Sequence, residues 1–127
     1  MRQVWIVDDD EEMNQAIGLM LKVLDCEVMS FHRARPAVQT LLTGKRPDLL
    51  ILDINMPEVS GLDVLEFLRR RKEWKELPII MLSSEAADSM VDKTLQMGAN
   101  SYLIKPVTIE ELEKAIAIVI QKRVSIK

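Results

Sequence analysis

The stretch formed by residues 49–57, LLILDINMP, constrains the fold of this chain more than any other. Four apolar residues run without interruption into Asp53, and Pro57 follows four residues later. A continuous apolar run is typical of a parallel strand that helices cover on both faces. In open sheets of this kind, ligands bind beyond the carboxyl ends of the strands. The stretch therefore predicts a buried strand that delivers the Asp53 carboxylate to a binding edge.

Four further segments have the same order, in which an apolar run is followed directly by polar residues or a turn. They span residues 4–7, 26–31, 78–82 and 102–104. The second mixes Glu27 and Ser30 with apolar side chains, which indicates a less buried strand at an edge of the sheet. Together with residues 49–53, these segments give five predicted strands.

A helical pattern follows each predicted strand. The first has apolar residues at helical spacing from residue 13 to residue 24, with Asp10 as its N-cap. Pro36 is predicted to begin the second helix, and a third runs from about Leu62. Strands and helices that alternate with short connections predict an α/β fold with a parallel sheet and right-handed crossovers.

The last two helices differ in the strength of their patterns. The fourth is the least apolar, ends at Gly98, and is predicted to bury four residues, which are Ala87, Met90, Val91 and Leu95. The fifth begins with a capping box from Thr108 to Glu111 and carries a full apolar stripe. Trp74 is predicted to lie in the loop before the fourth strand.

Composition limits the class of protein. A length of 127 residues suits one domain, and 48% hydrophobic residues supply its core. A formal net charge of −3 gives no overall attraction to nucleic acid or to an anionic membrane. No apolar run reaches the roughly 18 residues of a membrane span, and the first residues lack the apolar core of a signal peptide. We expect a cytoplasmic protein with no membrane partner.

The residues that end the predicted strands are polar and chemically complementary. The first strand ends on Asp8 and Asp9, the third on Asp53, the fourth on Ser83 and the fifth on Lys105. Because the carboxyl ends of parallel strands share one edge of a sheet, these side chains should meet. Three carboxylates repel one another, so either their pKa values rise or a cation neutralises them. Ligands that are all oxygen favour Mg²⁺.

Such a cluster suits phosphoryl chemistry. Lys105 supplies a positive charge for phosphoryl oxygens, and Ser83 supplies a hydroxyl donor. A carboxylate can act as the nucleophile that accepts a phosphoryl group. Asp53 is the best candidate for that role because it ends the central strand.

Two other classes of protein fit part of this pattern. A flavodoxin-like cofactor binder would share the sheet, but three aspartates after the first strand would repel a flavin phosphate. A metal-dependent phosphohydrolase with an Asp-x-Asp nucleophile pair would use Asp8 and Asp10. That interpretation leaves the placement of Asp53 and Lys105 unexplained.

The chain carries several marks by which it resembles the receiver domain of two-component response regulators, of the chemotaxis-regulator-like kind. The marks are Asp8-Asp9, Asp53, Met56-Pro57 with Gly61, Ser83 and Lys105-Pro106. The resemblance covers residues 4 to about 122 and implies a flavodoxin-like, doubly wound sheet with strand order 2-1-3-4-5 and helices on both faces. It further implies that residues 1–122 form the receiver domain and that residues 123–127 are a C-terminal tail or the start of a linker.

The resemblance also implies roles for the acidic residues. Asp53 would be the phosphoacceptor. Mg²⁺ would be held by Asp9, Asp53 and the backbone carbonyl of Asn55, with Asp8 helping through water.

The same resemblance implies roles for four further residues. Ser83 and Lys105 would contact the phosphoryl group, and Tyr102 would turn inward as Ser83 moves toward that group. Pro106 would have a structural role, with the Lys105-Pro106 peptide bond in the cis form.

The implied partners are a sensor histidine kinase and a downstream effector domain or protein. Nucleic acid would be contacted only through a separate effector domain, and phosphorylation would promote a homodimer. The implied activity is that of a signalling phosphoacceptor, which takes part in its own phosphorylation and dephosphorylation, and not that of an enzyme with another substrate.

Overall fold

The computed structural model describes residues 1–125, and side chains as far as residue 120. Within this range, five strands and five α-helices alternate along the chain. The strands are β1 (Arg2–Val7), β2 (Cys26–Phe31), β3 (Leu49–Asp53), β4 (Ile79–Ser83) and β5 (Ser101–Ile104). The helices are α1 (Glu11–Val23), α2 (Ala34–Leu42), α3 (Gly61–Arg70), α4 (Asp88–Gln96) and α5 (Ile109–Ser125). A short 3-10 helix, Lys72–Trp74, lies between α3 and β4.

The strands form one parallel sheet in the order β2-β1-β3-β4-β5. The chain passes from β1 to the edge strand β2, crosses back over β1 to β3, and continues to the opposite edge at β5. This reversal of direction places a crevice between the carboxyl ends of β1 and β3, where ligands bind in open α/β sheets. The predicted fold class and strand order are confirmed.

Helices cover both faces of the sheet and enclose two apolar cores. Successive residues of β3 point to opposite faces, so Leu50 joins the core that includes Leu65 of α3, and Ile51 joins the core that includes Ile17 of α1. Every residue of β3 and β4 is buried, as their continuous apolar runs predicted. The mixed strand β2 lies at an edge of the sheet, as its sequence indicated.

Two capping predictions are confirmed at helix starts. Oδ1 of Asp10 accepts a 3.2 Å hydrogen bond from the Met13 N–H at the start of α1. Thr108 and Glu111 form the capping box of α5, in which each backbone N–H donates to the other residue's side chain at 3.0 and 3.1 Å. Among the helices that the structure describes, none is long and apolar enough to cross a membrane.

Two of the predicted positions are wrong. Helix α2 begins at Ala34, two residues before Pro36. Proline is tolerated there because the first N–H groups of a helix have no partner within it. Trp74 lies in the 3-10 helix, where it is buried and its ring centroid is 6.0 Å from that of Phe67. Trp74 belongs to the core that includes Leu65, and Phe67 packs against the same core.

Helix α4 also differs from its predicted pattern. Its one fully buried residue in the structure is Thr94, whereas Leu95 is 41% exposed and Ala87 precedes the helix on the surface. The Thr94 hydroxyl donates to the Met90 carbonyl at 2.8 Å, which satisfies its polar group and lets the side chain face the core. Gly98 has a φ of +112°, as its predicted left-handed position requires.

Candidate functional site

The polar residues predicted to meet at one edge of the sheet do so. Asp53 and Ser83 are the last residues of the neighbouring strands β3 and β4, and Asp8 and Lys105 directly follow β1 and β5. The parallel register brings these ends level, since Asp53 lies beside Leu82 in the sheet. The site therefore combines side chains from four strand ends.

Three carboxylates form its centre. One carboxylate oxygen from each of Asp8, Asp9 and Asp53 lies within 4.8 Å of the other two. Asp8 and Asp53 are buried, whereas Asp9 is exposed. Two buried acidic groups side by side are costly unless they are protonated or paired with a cation.

Lys105 supplies one such cation. Its ammonium nitrogen lies 3.0 Å from Oδ2 of Asp8 and 3.1 Å from Oδ1 of Asp53. Burial alone would lower the pKa of Lys105, but its close contacts with the negatively charged Asp8 and Asp53 raise it above its ordinary value. The lysine therefore stays charged between the two carboxylates.

One lysine does not neutralise both buried acids. Burial raises the pKa of Asp53, the neighbouring Asp8 raises it further, and Lys105 lowers it, with a result of about 7 instead of 3.8. At neutral pH, Asp53 is consequently close to the midpoint of its titration in the absence of another cation. A carboxylate in this state gains much from a further positive charge.

The donor set fits a hard metal ion. Oδ1 of Asp8 accepts a 2.9 Å hydrogen bond from the Asp10 N–H, but Oδ2 is buried and accepts no hydrogen bond of good geometry from the described residues. Its near neighbour is the Lys105 ammonium at 3.0 Å. Three converging carboxylate oxygens, one of them from the exposed Asp9, suit Mg²⁺.

The loop after β3 is held close to the site by Gly61. The Gly61 N–H donates to the Ile54 carbonyl at 2.8 Å. A Cβ atom at this position would lie 2.1 Å from the Asp53 carbonyl oxygen, so a side chain does not fit. Asn55 lies in this loop with its side chain exposed, directly after the buried Ile54.

A hydrogen-bonded chain links Ser83 to Tyr102 through one residue. The buried Ser83 hydroxyl oxygen accepts a 3.0 Å bond from the Glu85 N–H. The Tyr102 hydroxyl donates a 2.7 Å bond to the Glu85 carbonyl. The half-buried Tyr102 ring is thereby connected to the site through the loop between β4 and α4. The predicted cis bond between Lys105 and Pro106 is confirmed.

Sequence reasoning missed Asn14, whose side chain contacts the backbone of Asp8. It is 2% exposed, and its side-chain nitrogen donates to the carbonyls of Asp8 and Phe31, each at 3.0 Å. Its position between Met13 and Ile17, on the inner side of α1, could have identified a polar residue that faces the core. Glu85 could not have been found, because it acts through its backbone.

Comparison with known proteins gives the family. Residues 4–117 match the response regulator receiver domain. The chain belongs to this family. Among related receivers, chemotaxis protein CheY1 of Helicobacter pylori strain 26695 is 34% identical over 116 residues, or 91% of this chain and 94% of CheY1. The phosphate regulon transcriptional regulatory protein PhoB of Rhizobium meliloti is 36% identical over 87% of this chain and 48% of PhoB.

Solved receiver structures agree with this assignment. Chemotaxis protein CheY4 of Vibrio cholerae superposes with a TM-score of 0.85 at 29% identity, covering 94% of this chain and 98% of that chain. A putative response regulator from Chloroflexus aurantiacus has a TM-score of 0.87 at 30% identity, with the same coverage. The receiver fold is thus shared along nearly the whole chain.

The receiver assignment also bears on the two other classes considered. An Asp-x-Asp phosphohydrolase needs Asp10 at the site, but its carboxylate caps α1. A flavin phosphate would need free amides after β1. In this receiver, the Asp10 N–H there is already bonded to Asp8.

Proposed function

We propose that this receiver domain accepts a phosphoryl group on Asp53 from a sensor histidine kinase, with Mg²⁺ bound beside it. The observation that carries the proposal is the position of Asp53. Its buried carboxylate ends the central strand, 3.1 Å from the Lys105 ammonium and among the acidic residues Asp8 and Asp9. A buried nucleophile, a fixed cation and a set of metal ligands are the parts that phosphoryl transfer requires.

In the proposed reaction, an oxygen of Asp53 attacks the phosphorus of a phosphohistidine. The new phosphorus–oxygen bond forms an acyl phosphate, and the bond from phosphorus to the histidine nitrogen breaks, with its electron pair returning to the imidazole. Lys105 neutralises charge on the phosphoryl oxygens. Support for this role comes from its 3.1 Å contact with Oδ1 of Asp53.

The residues that would hold Mg²⁺ are Asp9, Asp53 and the backbone carbonyl of Asn55, with Asp8 acting through a water molecule. Bound Mg²⁺ would neutralise the carboxylates and the incoming phosphoryl oxygens. Because the pKa of Asp53 is about 7 without a metal, a bound cation would also favour the ionised nucleophile at neutral pH. Support comes from the convergence of the three carboxylates.

The signal is proposed to leave the site through Ser83 and Tyr102. A hydroxyl at Ser83 bonds a new phosphoryl oxygen if the loop after β4 moves inward. That loop carries Glu85, to which the Tyr102 hydroxyl is bonded, so Tyr102 would follow it. Helix α4 follows this loop and has one fully buried residue, Thr94, so it would be easy to shift. Pro106 would have a structural role in the turn after β5.

The proposed setting is a cytoplasmic two-component pathway. Residues 1–122 would form the receiver unit, and residues 123–127 would be a tail or the start of a linker. The chain spans nearly all of CheY1 but about half of PhoB, so its relatives include receivers with and without further sequence. A downstream effector domain or protein would read the switched face, and nucleic acid would be contacted only through such a domain. Phosphorylation would favour a homodimer, and the chain would act as a phosphoacceptor, not as an enzyme with another substrate.

Incubation with acetyl phosphate tests this function directly. The proposal predicts that the protein gains the mass of one phosphoryl group in the presence of Mg²⁺ and gains none when EDTA is present. The adduct should be lost in hydroxylamine, which cleaves acyl phosphates but not phosphoserine. A stable adduct that forms without Mg²⁺ would contradict the proposal.

A further inference from the structure

Asn14 holds the turn that presents the acidic pair. Its side-chain nitrogen donates one hydrogen bond to the Asp8 carbonyl and one to the Phe31 carbonyl, both at 3.0 Å. The Phe31 carbonyl also accepts a 3.0 Å bond from the Asp8 N–H. The backbone of Asp8 is therefore fixed on both sides, by the end of β2 and by α1.

The chemistry of this contact depends on a side chain with two hydrogens on one nitrogen. Both partners are carbonyl oxygens, so the amide must face them with its nitrogen and not with its oxygen. Leucine has a similar size but no donor, and serine has one hydrogen. Asn14 also belongs to the first half of α1, and its own N–H donates to the Asp10 carbonyl at 2.9 Å. Asn14 thus contacts the turn on both sides of Asp9.

The turn matters because two of the three converging carboxylates belong to it. Asp8 and Asp9 are consecutive, and their oxygens must stay within a few ångströms of Asp53, which β3 positions independently. The ladder between β1 and β2 ends at Val7 and Phe31, so the Asp8 carbonyl lies just beyond the paired part of the two strands. The amide of Asn14 takes the place of a strand partner at this point.

We infer that Asn14 is a positioning residue for the metal site, which sets the Mg²⁺ affinity by holding the backbone of Asp8. The inference rests on the proposed function, because it takes Mg²⁺ as the ion that the carboxylates bind. Asn14 is not proposed as a ligand, because its amide nitrogen donates to the backbone carbonyls of Asp8 and Phe31. Partners that orient metal ligands typically change metal affinity by about 10- to 100-fold when they are removed.

The test is the affinity for Mg²⁺ measured by titration calorimetry on the whole protein without any phosphoryl donor. Asn14→Leu should weaken Mg²⁺ binding by about 10- to 100-fold. Asn14→Ser keeps one hydrogen-bond donor and should weaken binding less, so it serves as the second variant if the leucine variant does not fold.

Asn100 offers a matched control. Its side-chain oxygen also holds a strand, by accepting bonds from the Ile79 N–H at 2.8 Å and from Nη2 of Arg69 at 3.0 Å. This contact lies at the amino end of β4, whereas the carboxylates lie at the carboxyl ends of the strands. Asn100→Leu should lower the melting temperature and leave Mg²⁺ affinity unchanged. If Asn100→Leu weakens Mg²⁺ binding as much as Asn14→Leu, the effect is one of general stability and the inference is wrong.

The outcomes separate this inference from the proposed function. A parent protein that binds no Mg²⁺ would overturn both. A parent protein that binds Mg²⁺, with Asn14→Leu and Asn14→Ser binding it equally well, would overturn the role of Asn14 alone. The expected result is that Asn14→Ser weakens Mg²⁺ binding, that Asn14→Leu weakens it more, and that Asn100→Leu leaves it unchanged.

Discussion

The Lys105 ammonium lies 3.1 Å from Oδ1 of Asp53, in a pair whose carboxylate is buried and whose lysine side chain is 16% exposed. The same ammonium lies 3.0 Å from the buried Asp8 carboxylate. When both acids are ionised, this buried group carries one more negative than positive charge. The imbalance explains why the pKa of Asp53 rises to about 7 despite the lysine. It also explains why a further cation should stabilise the folded protein.

The first prediction is that Mg²⁺ raises the melting temperature. An ion that binds the folded state alone, at 100 times its dissociation constant, adds about 2.7 kcal/mol to the free energy of unfolding. Differential scanning fluorimetry over a Mg²⁺ series measures the shift. Asp9→Asn removes the exposed carboxylate of the proposed Mg²⁺ site, leaves the buried Asp8 and Asp53 in place, and should reduce the response. An equal response in that variant would argue that Mg²⁺ binds elsewhere.

The second prediction concerns pH in the absence of Mg²⁺. The ordinary pKa of an aspartate is 3.8 and that of Asp53 in the folded protein is about 7, so the folded state holds this proton more tightly. The stabilisation from that proton is complete below pH 3.8 and is lost as the pH rises through 7. The free energy of unfolding should therefore fall across this range, with a slope from Asp53 of at most about 1.4 kcal/mol per pH unit.

Urea unfolding of the parent and of Asp53→Asn measures this slope. The variant has no group to titrate at this position, so its stability should depend less on pH and should exceed that of the parent at neutral pH. Parallel curves for the two proteins would mean that Asp53 is ionised throughout the range.

The third prediction concerns the loop after β3. Gly61→Ala should destabilise the protein by roughly 1–3 kcal/mol or more, since its Cβ would lie 2.1 Å from the Asp53 carbonyl oxygen. Gly18→Ala is the matched control in the interior of α1, where the nearest atom is Val28 Cγ1 at 3.9 Å. That change should stabilise by about 0.5–1 kcal/mol. Chemical denaturation gives both values, and equal effects would refute the assigned close approach.

The fourth prediction concerns the route from the site to the surface. Ser83→Ala should still accept a phosphoryl group on Asp53, but Tyr102 should no longer change its environment, because the loop has lost the hydroxyl that draws it inward. Tyr102 is the sole tyrosine of the chain, so its ring resonances in NMR spectra are unambiguous. Ser84→Ala, which alters the exposed neighbour, should respond like the parent. A normal Tyr102 response in Ser83→Ala would place the route elsewhere.

The main features of the fold were predictable because each buried strand is a continuous apolar run. Residues 49–53 and 78–82 have no polar interruption before their ends, and both runs are buried throughout. The site was predictable for the same reason, since a parallel sheet gathers the residues that end its strands at one edge. Asp53 and Lys105 are 52 residues apart in sequence, yet strand order alone brings them to the same edge.

The features that were missed depend on hydrogen bonds that composition does not reveal. Thr94 of α4 faces the core because its hydroxyl bonds within the helix, so a polar residue occupies a position expected to be apolar. Asn14 is buried because two backbone carbonyls converge on it. Pro36 lies in the first turn of α2, where its missing N–H has no cost, so its presence fixes the helix start only approximately.

The most direct test of the central claim is the phosphorylation of Asp53→Asn by acetyl phosphate with Mg²⁺, followed by intact mass spectrometry. The parent should gain one phosphoryl group, and Asp53→Asn should gain none while keeping its fold, since the change relieves the charge imbalance at the site. Asp92→Asn, which alters an exposed aspartate on α4, should be labelled like the parent. Undiminished labelling of a folded Asp53→Asn protein would show that another residue is the phosphoacceptor.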